Sequence, residues 1–262
     1  MLSHRILSAL VLLPVVLGAA YVGGPLFAAL VTAAALLSGF EFYRIMRRAN
    51  HQPSYVAGLT LIALAMWDVY QPEMGILRWA VSAIVMAMLV WHVLQRDTTG
   101  SIVNWALTLF GAVYTGGLAA YLISLRNLPN GLGWLLVTFF GTWSCDTAAF
   151  FVGSWWGQRG FFTEISPKKT VEGAMGGCIA GIIVTFALGS YFGLAVWQAL
   201  LLGVLLVVAV TLGDLAESLI KRQVGAKDSG NLIPGHGGML DRIDSLLFAG
   251  PVVYYFLTWL VL

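Results

Sequence analysis

The residues able to do chemistry gather in a few short stretches of this 262-residue chain. The densest runs Gly225-Ala-Lys-Asp-Ser-Gly-Asn-Leu-Ile-Pro-Gly-His-Gly-Gly-Met-Leu-Asp-Arg-Ile-Asp-Ser245 and holds five glycines, two basic side chains, one histidine and three aspartates. Glycines let a backbone come close to a ligand and turn its amides toward anionic oxygens. Lys227 and Arg242 can take phosphate charge, and Arg does so as a planar fork. Asp241 and Asp244 share a face if a helix starts there. Carboxylates in that number suit Mg2+, which takes one or two of them plus phosphate oxygens. The Cys and His clusters that Zn2+ favours are missing. Asp228 adds a further polar contact, and His236 serves a phosphate cradle or the loop's own structure equally well.

Just upstream, Gly213-Asp-Leu-Ala-Glu-Ser-Leu-Ile-Lys-Arg222 places Asp214, Glu217, Ser218 and Lys221 at i, i+3, i+4 and i+7, one face of a helix. The structural alternative for this stripe is a pair within the helix, Asp214–Ser218 or Glu217–Lys221, with Lys221 and Arg222 reaching for water. A third stretch, Ser166-Pro-Lys-Lys-Thr-Val-Glu-Gly173, offers Lys168, Lys169 and Thr170 as phosphate contacts or as a basic anchor. Asp146, in Thr142-Trp-Ser-Cys-Asp-Thr147, lies inside an apolar run, where an ionised group costs roughly 2.5–3.5 kcal/mol. It is either functional or hydrogen-bonded to a neighbouring hydroxyl. No phosphate-binding Gly-x-x-x-x-Gly-Lys-Ser/Thr loop is present, and no nucleophile elbow.

The elements that must position these groups follow from composition. Apolar residues make up 59% of the chain and charged ones 10%, with a mean hydropathy of +0.86. A soluble domain carries about 25% charged residues. That excludes a water-soluble globule, a disordered chain and a disulfide scaffold, and the net charge of +2 excludes a nucleic-acid binder. Only Cys145 and Cys178 are present, both in apolar runs. The reading is an all-α, polytopic integral membrane protein with about nine transmembrane helices. They are expected near 5–22, 25–43, 56–70, 76–94, 102–124, 133–153, 172–192, 196–217 and 245–262. The first is read as an uncleaved helix rather than a secretory signal. With the N-terminus in the cytosol, twelve of the fourteen Lys and Arg fall on the inner side and only Arg78 and Arg126 outside. The same orientation puts all the long polar stretches at the cytosolic face. Residues 1–130 are read as scaffold helices and 131–262 as the half with the active site. Gly173, Gly177 and Gly181 form a ladder on one helix face, suited to a homodimer interface or, more readily in so large a bundle, to an internal helix contact.

Ser218-Leu-Ile-Lys221-Arg222, Lys227-Asp228-Ser-Gly and Leu-Ile-Pro-Gly-His236-Gly-Gly-Met-Leu-Asp241-Arg242-Ile-Asp244 closely resemble the C-terminal signature of CDP-diacylglycerol synthases, the phosphatidate cytidylyltransferases. Asp146-Thr-Ala-Ala-Phe-Phe-Val-Gly and Ser166-Pro-Lys-Lys-Thr-Val-Glu-Gly resemble that family's earlier motifs. The resemblance implies transfer of a cytidylyl group from CTP to phosphatidate, giving CDP-diacylglycerol and pyrophosphate with Mg2+. It implies Asp214 and Asp241 as metal carboxylates and Lys221 as a nearby phosphate contact, with a second cation compatible. Asp146, Lys168, Lys169, Thr170, Ser218, Arg222, Lys227, Asp228, His236, Arg242 and Asp244 become expected substrate contacts. The expected setting is the inner membrane of the cell. Two alternatives are a CTP-dependent polyprenol or phytol kinase, and an ion-coupled transporter using Asp146 and Asp214. The nearly uncharged outer halves of the spans speak against the transporter.

Overall fold

The computed structural model describes residues 2–94, 100–230 and 237–262, with side chains from Leu12 onward. The helices are α1 (Leu2–Val22), α2 (Gly24–Arg48), α3 (Tyr55–Tyr70), α4 (Ile76–Leu94), α5 (Ser101–Gly111), α6 (Leu118–Asn127), α7 (Gly131–Trp156), α8 (Val171–Tyr191), α9 (Val196–Gln223) and α10 (Leu240–Leu260). A π turn at Ala112–Gly117 joins α5 and α6 into one rod, Ser101–Asn127. Among the described residues no strand forms; a single bridge links Gly160 and Thr170. The protein is an all-α, polytopic membrane protein, as its composition requires.

Among the described residues, seven helices are long and apolar enough to cross a bilayer: α2, α4, the α5–α6 rod, α7, α8, α9 and α10. The sequence suggests nine. Helix α3 has 16 residues, about 24 Å at 1.5 Å per residue, short of the ~30 Å hydrocarbon layer. Helix α1 has side chains described only over Leu12–Val22. Two other boundaries move: α9 continues to Gln223, and α10 starts at Leu240 rather than near 245. The whole Asp214–Lys221 stripe is therefore helical, and Asp241 lies in the first turn of α10.

The chain forms two compact units, one of residues up to Ser124 with Val224–Arg242, the other Leu125–Gln223 with Ile243–Leu262. In the first, Phe27, Phe42, Tyr43, Ile45, Ile62 and Met66 are buried. The Tyr43 hydroxyl donates to the Thr108 carbonyl at 2.7 Å, locking α2 to α5. A Cβ on Gly116 would stand 2.8 Å from the Ile62 side chain, so the π turn and α3 meet with no room between them. In the second unit the ladder Gly173, Gly177 and Gly181 is buried. A Cβ on Gly173 would lie 2.8 Å from the Ala149 carbonyl oxygen, and one on Gly177 2.8 Å from that of Cys145. At Gly173 and Gly177 the ladder is an internal contact of α8 with α7, while Gly181 also meets the Val207 side chain of α9. Because the first two meet backbone, no rotamer change could admit a larger residue there.

Candidate active site

The second unit collects charge from four segments. Asp146 comes from α7, Lys169 from the loop before α8, Asp214, Glu217 and Lys221 from α9, and Asp244 from α10. Lys169 Nζ sits 2.7 Å from Asp214 Oδ2, both side chains partly exposed. Asp244, half-buried, lies in the electrostatic field of Asp214, Asp146 and Lys221. The Cys145 thiol lies in the field of Asp146, Lys169 and Asp214 as well, so these groups share one neighbourhood. Lys221 pairs with Glu217, one turn back on α9, and Glu217 is fully buried. That intrahelical pair, the structural alternative for the stripe, is formed. The Ser218 hydroxyl reaches Asp214 Oδ1 only at 3.5 Å, a weak contact.

Short-range chemistry fixes Lys169. The Phe161 amide donates to the Lys169 carbonyl at 2.9 Å and the Val171 amide to the Arg159 carbonyl at 2.8 Å. Thr170 caps α8, its hydroxyl oxygen accepting from the Gly173 amide at 3.1 Å. The Glu172 carboxylate accepts from the Gln158 and Arg159 amides at 3.0 and 3.2 Å. Arg222 Nε donates to the Ile165 carbonyl at 3.1 Å, tying the end of α9 to the same loop. Thr170 and Arg222 thus hold the loop through these contacts, while Lys168 beside them is exposed.

In the first unit the glycine-rich segment is clasped by α2. Glu41, fully buried, accepts from the Leu240 amide at 2.9 Å and from the Ser229 hydroxyl at 3.2 Å. The same Ser229 hydroxyl lies 2.9 Å from Asp241 Oδ2, so its one proton is shared between the two carboxylates, and the Ser229 amide donates to Asp241 Oδ2 at 3.2 Å. The Gly238 amide adds a third donor to that oxygen at 2.8 Å. Arg44 Nη2 donates to the Ser229 carbonyl at 3.2 Å. Asp241 is thereby fixed by its own loop. A Cβ on Gly230 would meet Arg44 Nη2 at 2.6 Å, and one on Gly238 would meet Glu41 at 2.5 Å, so a larger residue at either place would push these bonded side chains aside. Lys227, Asp228 and Arg242 are exposed. His236 lies outside the described residues.

The structure thus brings Asp146, Lys169, Asp214, Lys221 and Asp244 together in one unit, and ties Asp241 to Ser229 and Glu41 in the other. Glu41 and Arg44 are the residues that sequence reasoning passed over. A carboxylate inside the expected span 25–43 is the same signal that marks Asp146, and it applied equally to Glu41. Among the described residues no group of three or more His, Cys, Asp or Glu is arranged as a ready metal cage. Mg2+ does not require one, because it keeps several waters and completes its shell with phosphate oxygens. Asp214, whose carboxylate already faces an ammonium, and Asp244 and Asp146 nearby have the oxygen donors this ion takes.

The model of the cytidylyltransferase family matches residues 3–260. The chain belongs to that family. Phosphatidate cytidylyltransferase of Synechocystis sp. is 32% identical over 289 residues, covering 99% of this chain and 97% of the relative. The Bacillus subtilis protein of the same name is 32% identical over 263 residues, with 98% and 97% covered. Another relative of that name, from Mycobacterium bovis, is 31% identical over 246 residues, with 88% and 80% covered. The family match spans both units, so the segment clasped by Glu41 and the cluster around Asp214 lie in one family-wide sequence.

Proposed function

We propose that this chain transfers the cytidylyl group of CTP to phosphatidate, releasing pyrophosphate and leaving CDP-diacylglycerol in the membrane. The observation that carries the reading is the near full-length similarity to proteins of that named activity, together with the cluster of Lys169, Asp214, Asp146, Asp244 and Lys221. The phosphate of phosphatidate is itself a nucleophile, so no protein nucleophile is needed. The protein's task is to hold two anions against their repulsion, align attack on the α-phosphorus and stabilise the departing pyrophosphate. Lys169 and Lys221 are held in place beside carboxylates, Lys221 by Glu217 and Lys169 by Asp214. Asp214 and Asp241 are the carboxylates assigned to Mg2+, which when bound would neutralise phosphate charge. Lys168, Ser218, Lys227, Asp228, His236, Arg242 and Asp244 are proposed substrate contacts; Thr170 and Arg222 reach substrate through the loop they hold. The proposed setting is the inner membrane, with the site at the cytosolic face, where the acyl chains stay in lipid and CTP arrives from water. A homodimer has lost the support of the glycine ladder, which α7 occupies.

The test is a reconstituted assay with CTP, phosphatidate and Mg2+ and separation of products. Pyrophosphate appearing with a CDP-lipid supports the reading. CDP appearing with a phosphorylated lipid alcohol overturns it in favour of a kinase.

A further inference from the structure

The end of α2 carries three arginines, and the structure sorts them. Arg47 turns to its own element's surroundings: its guanidinium stacks 4.3 Å over the Tyr55 ring, and Nη2 donates to the Pro53 carbonyl at 3.2 Å. Arg44 and Arg48, spaced i and i+4 on one face, instead line a cavity of about 350 Å³ with Gly225, Lys227, Asp228 and Gly230. A basic anchor for a membrane-inner face needs no such register, since any rotation about the helix would serve. The cavity brings three cations against one carboxylate. Its lining is mostly polar, with Ala226 the one apolar side chain, so it offers little surface for acyl chains.

Two features make it a built site. Arg44 donates through Nη2 to the Ser229 carbonyl at 3.2 Å, which anchors its guanidinium at the cavity wall. The glycines differ in role: Gly230 is closed off by Glu41 and Arg44, whereas no atom lies within 4 Å of a Cβ at Gly225, whose φ is +66°. One end is a floor, the other an open, exposed backbone turn. The size falls within the range of small-molecule sites, roughly 300–1,000 Å³.

We infer that Arg44, Arg48 and Lys227 form a binding site for the phosphate chain of a nucleoside triphosphate. Phosphate is the shared chemistry of both substrates in the proposed function, on which this inference rests. Three basic side chains offer more donors than a single lipid phosphate needs, even with Asp228 beside them, and the polar walls suit a ligand arriving from water. The α2 end, which in the sequence counts only among the inner-side charges, is then part of nucleotide recognition.

The experiment uses the full chain in lipid nanodiscs at fixed ionic strength, because these charges are screened by salt. Binding of inorganic tripolyphosphate and of CTP is measured without phosphatidate, and KM values for CTP and phosphatidate are measured separately. Arg48 is exposed, so Arg48→Gln leaves packing intact; Lys227→Gln is the second variant and Arg47→Gln the control. Each of the first two should weaken tripolyphosphate and CTP binding at least ~10-fold, the scale of one charge-assisted contact. The KM for CTP should rise while that for phosphatidate stays put, and Arg47→Gln should bind like the parent. Parent-like binding in both Arg48→Gln and Lys227→Gln overturns the inference. So does a rise in phosphatidate KM with CTP binding unchanged, which assigns the cavity to the lipid phosphate. Arg48-dependent tripolyphosphate binding in a protein that makes no CDP-lipid supports the phosphate site and overturns the proposed function instead.

Discussion

Removing the Glu41 carboxylate should release the glycine-rich segment from α2 while leaving the helices in place. Glu41 accepts the Leu240 amide at 2.9 Å and the Ser229 hydroxyl at 3.2 Å. Hydrogen bonds to a charged group contribute about 1.5–3 kcal/mol each, so the Leu240 bond and the shared Ser229 bond together supply at most about 3–6 kcal/mol. Burying the carboxylate costs several kcal/mol, which reduces the net effect, although Arg44 stands near enough to offset part of that cost. Ser229 keeps Asp241 as a second acceptor, so the Leu240 amide is the group left stranded. A net loss near ~3 kcal/mol multiplies the population of undocked segment about 150-fold. Glu41→Ala should therefore speed hydrogen exchange at the Leu240 amide about 10²-fold and lower turnover correspondingly. Exchange along α7 and α8 should not change. Glu41→Gln keeps the volume and one acceptor oxygen, replaces charged bonds by neutral ones of about 0.5–1.5 kcal/mol each, and should cost roughly 10-fold. Parent-like exchange at Leu240 in Glu41→Ala, with parent-like turnover, would refute the clasp.

Asp214→Asn and Asp241→Asn should each cut turnover at least ~10²-fold with normal yield of folded protein, and the double variant should be little worse than either, since residues acting as a unit are non-additive. Asp68→Asn is the control: an amide can still accept from the Leu77 amide, as the carboxylate does at 3.0 Å, and activity should hold. Gly177→Ala, which drives a methyl group toward the Cys145 carbonyl at 2.8 Å, should destabilise by about 1–3 kcal/mol, read as a lowered melting temperature in detergent. Glu73→Cys and Glu164→Cys, both at exposed positions, in a chain with Cys145 and Cys178 replaced, should label with impermeant reagent from opposite sides of the membrane. Labelling from the same side would remove the proposed orientation.

The helical rods were legible because lipid forces long apolar runs, and their ends were placed less well because helices continue past the lipid boundary. Helix α9 runs six residues beyond the expected end at 217, reaching Gln223, since Lys221 and Arg222 can be helical and solvated at once. Asp146, Asp214 and Asp244 were legible one by one for the opposite reason, charge being scarce where it is expensive, but the sequence pairs Asp214 with Asp241 and gives no sign that these three share a neighbourhood. The clasp was not legible, because it joins residues far apart: Glu41 meets Leu240 across 199 positions. No spacing rule spans such a gap. Arg44 and Arg48 were visible only as positive charge, which says which side of a membrane they face and nothing of the cavity they line.

The glycine ladder also bears on the order in which the protein is assembled. Helices α7 and α8 meet through backbone at Gly173 and Gly177, and their connection is closed by the Phe161 and Val171 amides and the Glu172 carboxylate. All these partners are near neighbours in the chain, and contacts of short sequence separation form first because they close the smallest loops. The hairpin can therefore be complete once Tyr191 has been made, with Lys169 already held at its base. Asp214 emerges later, on α9, and meets an ammonium whose place is already set. On this route the cluster is not searched for by four mobile segments at once; a finished platform waits for its last carboxylates.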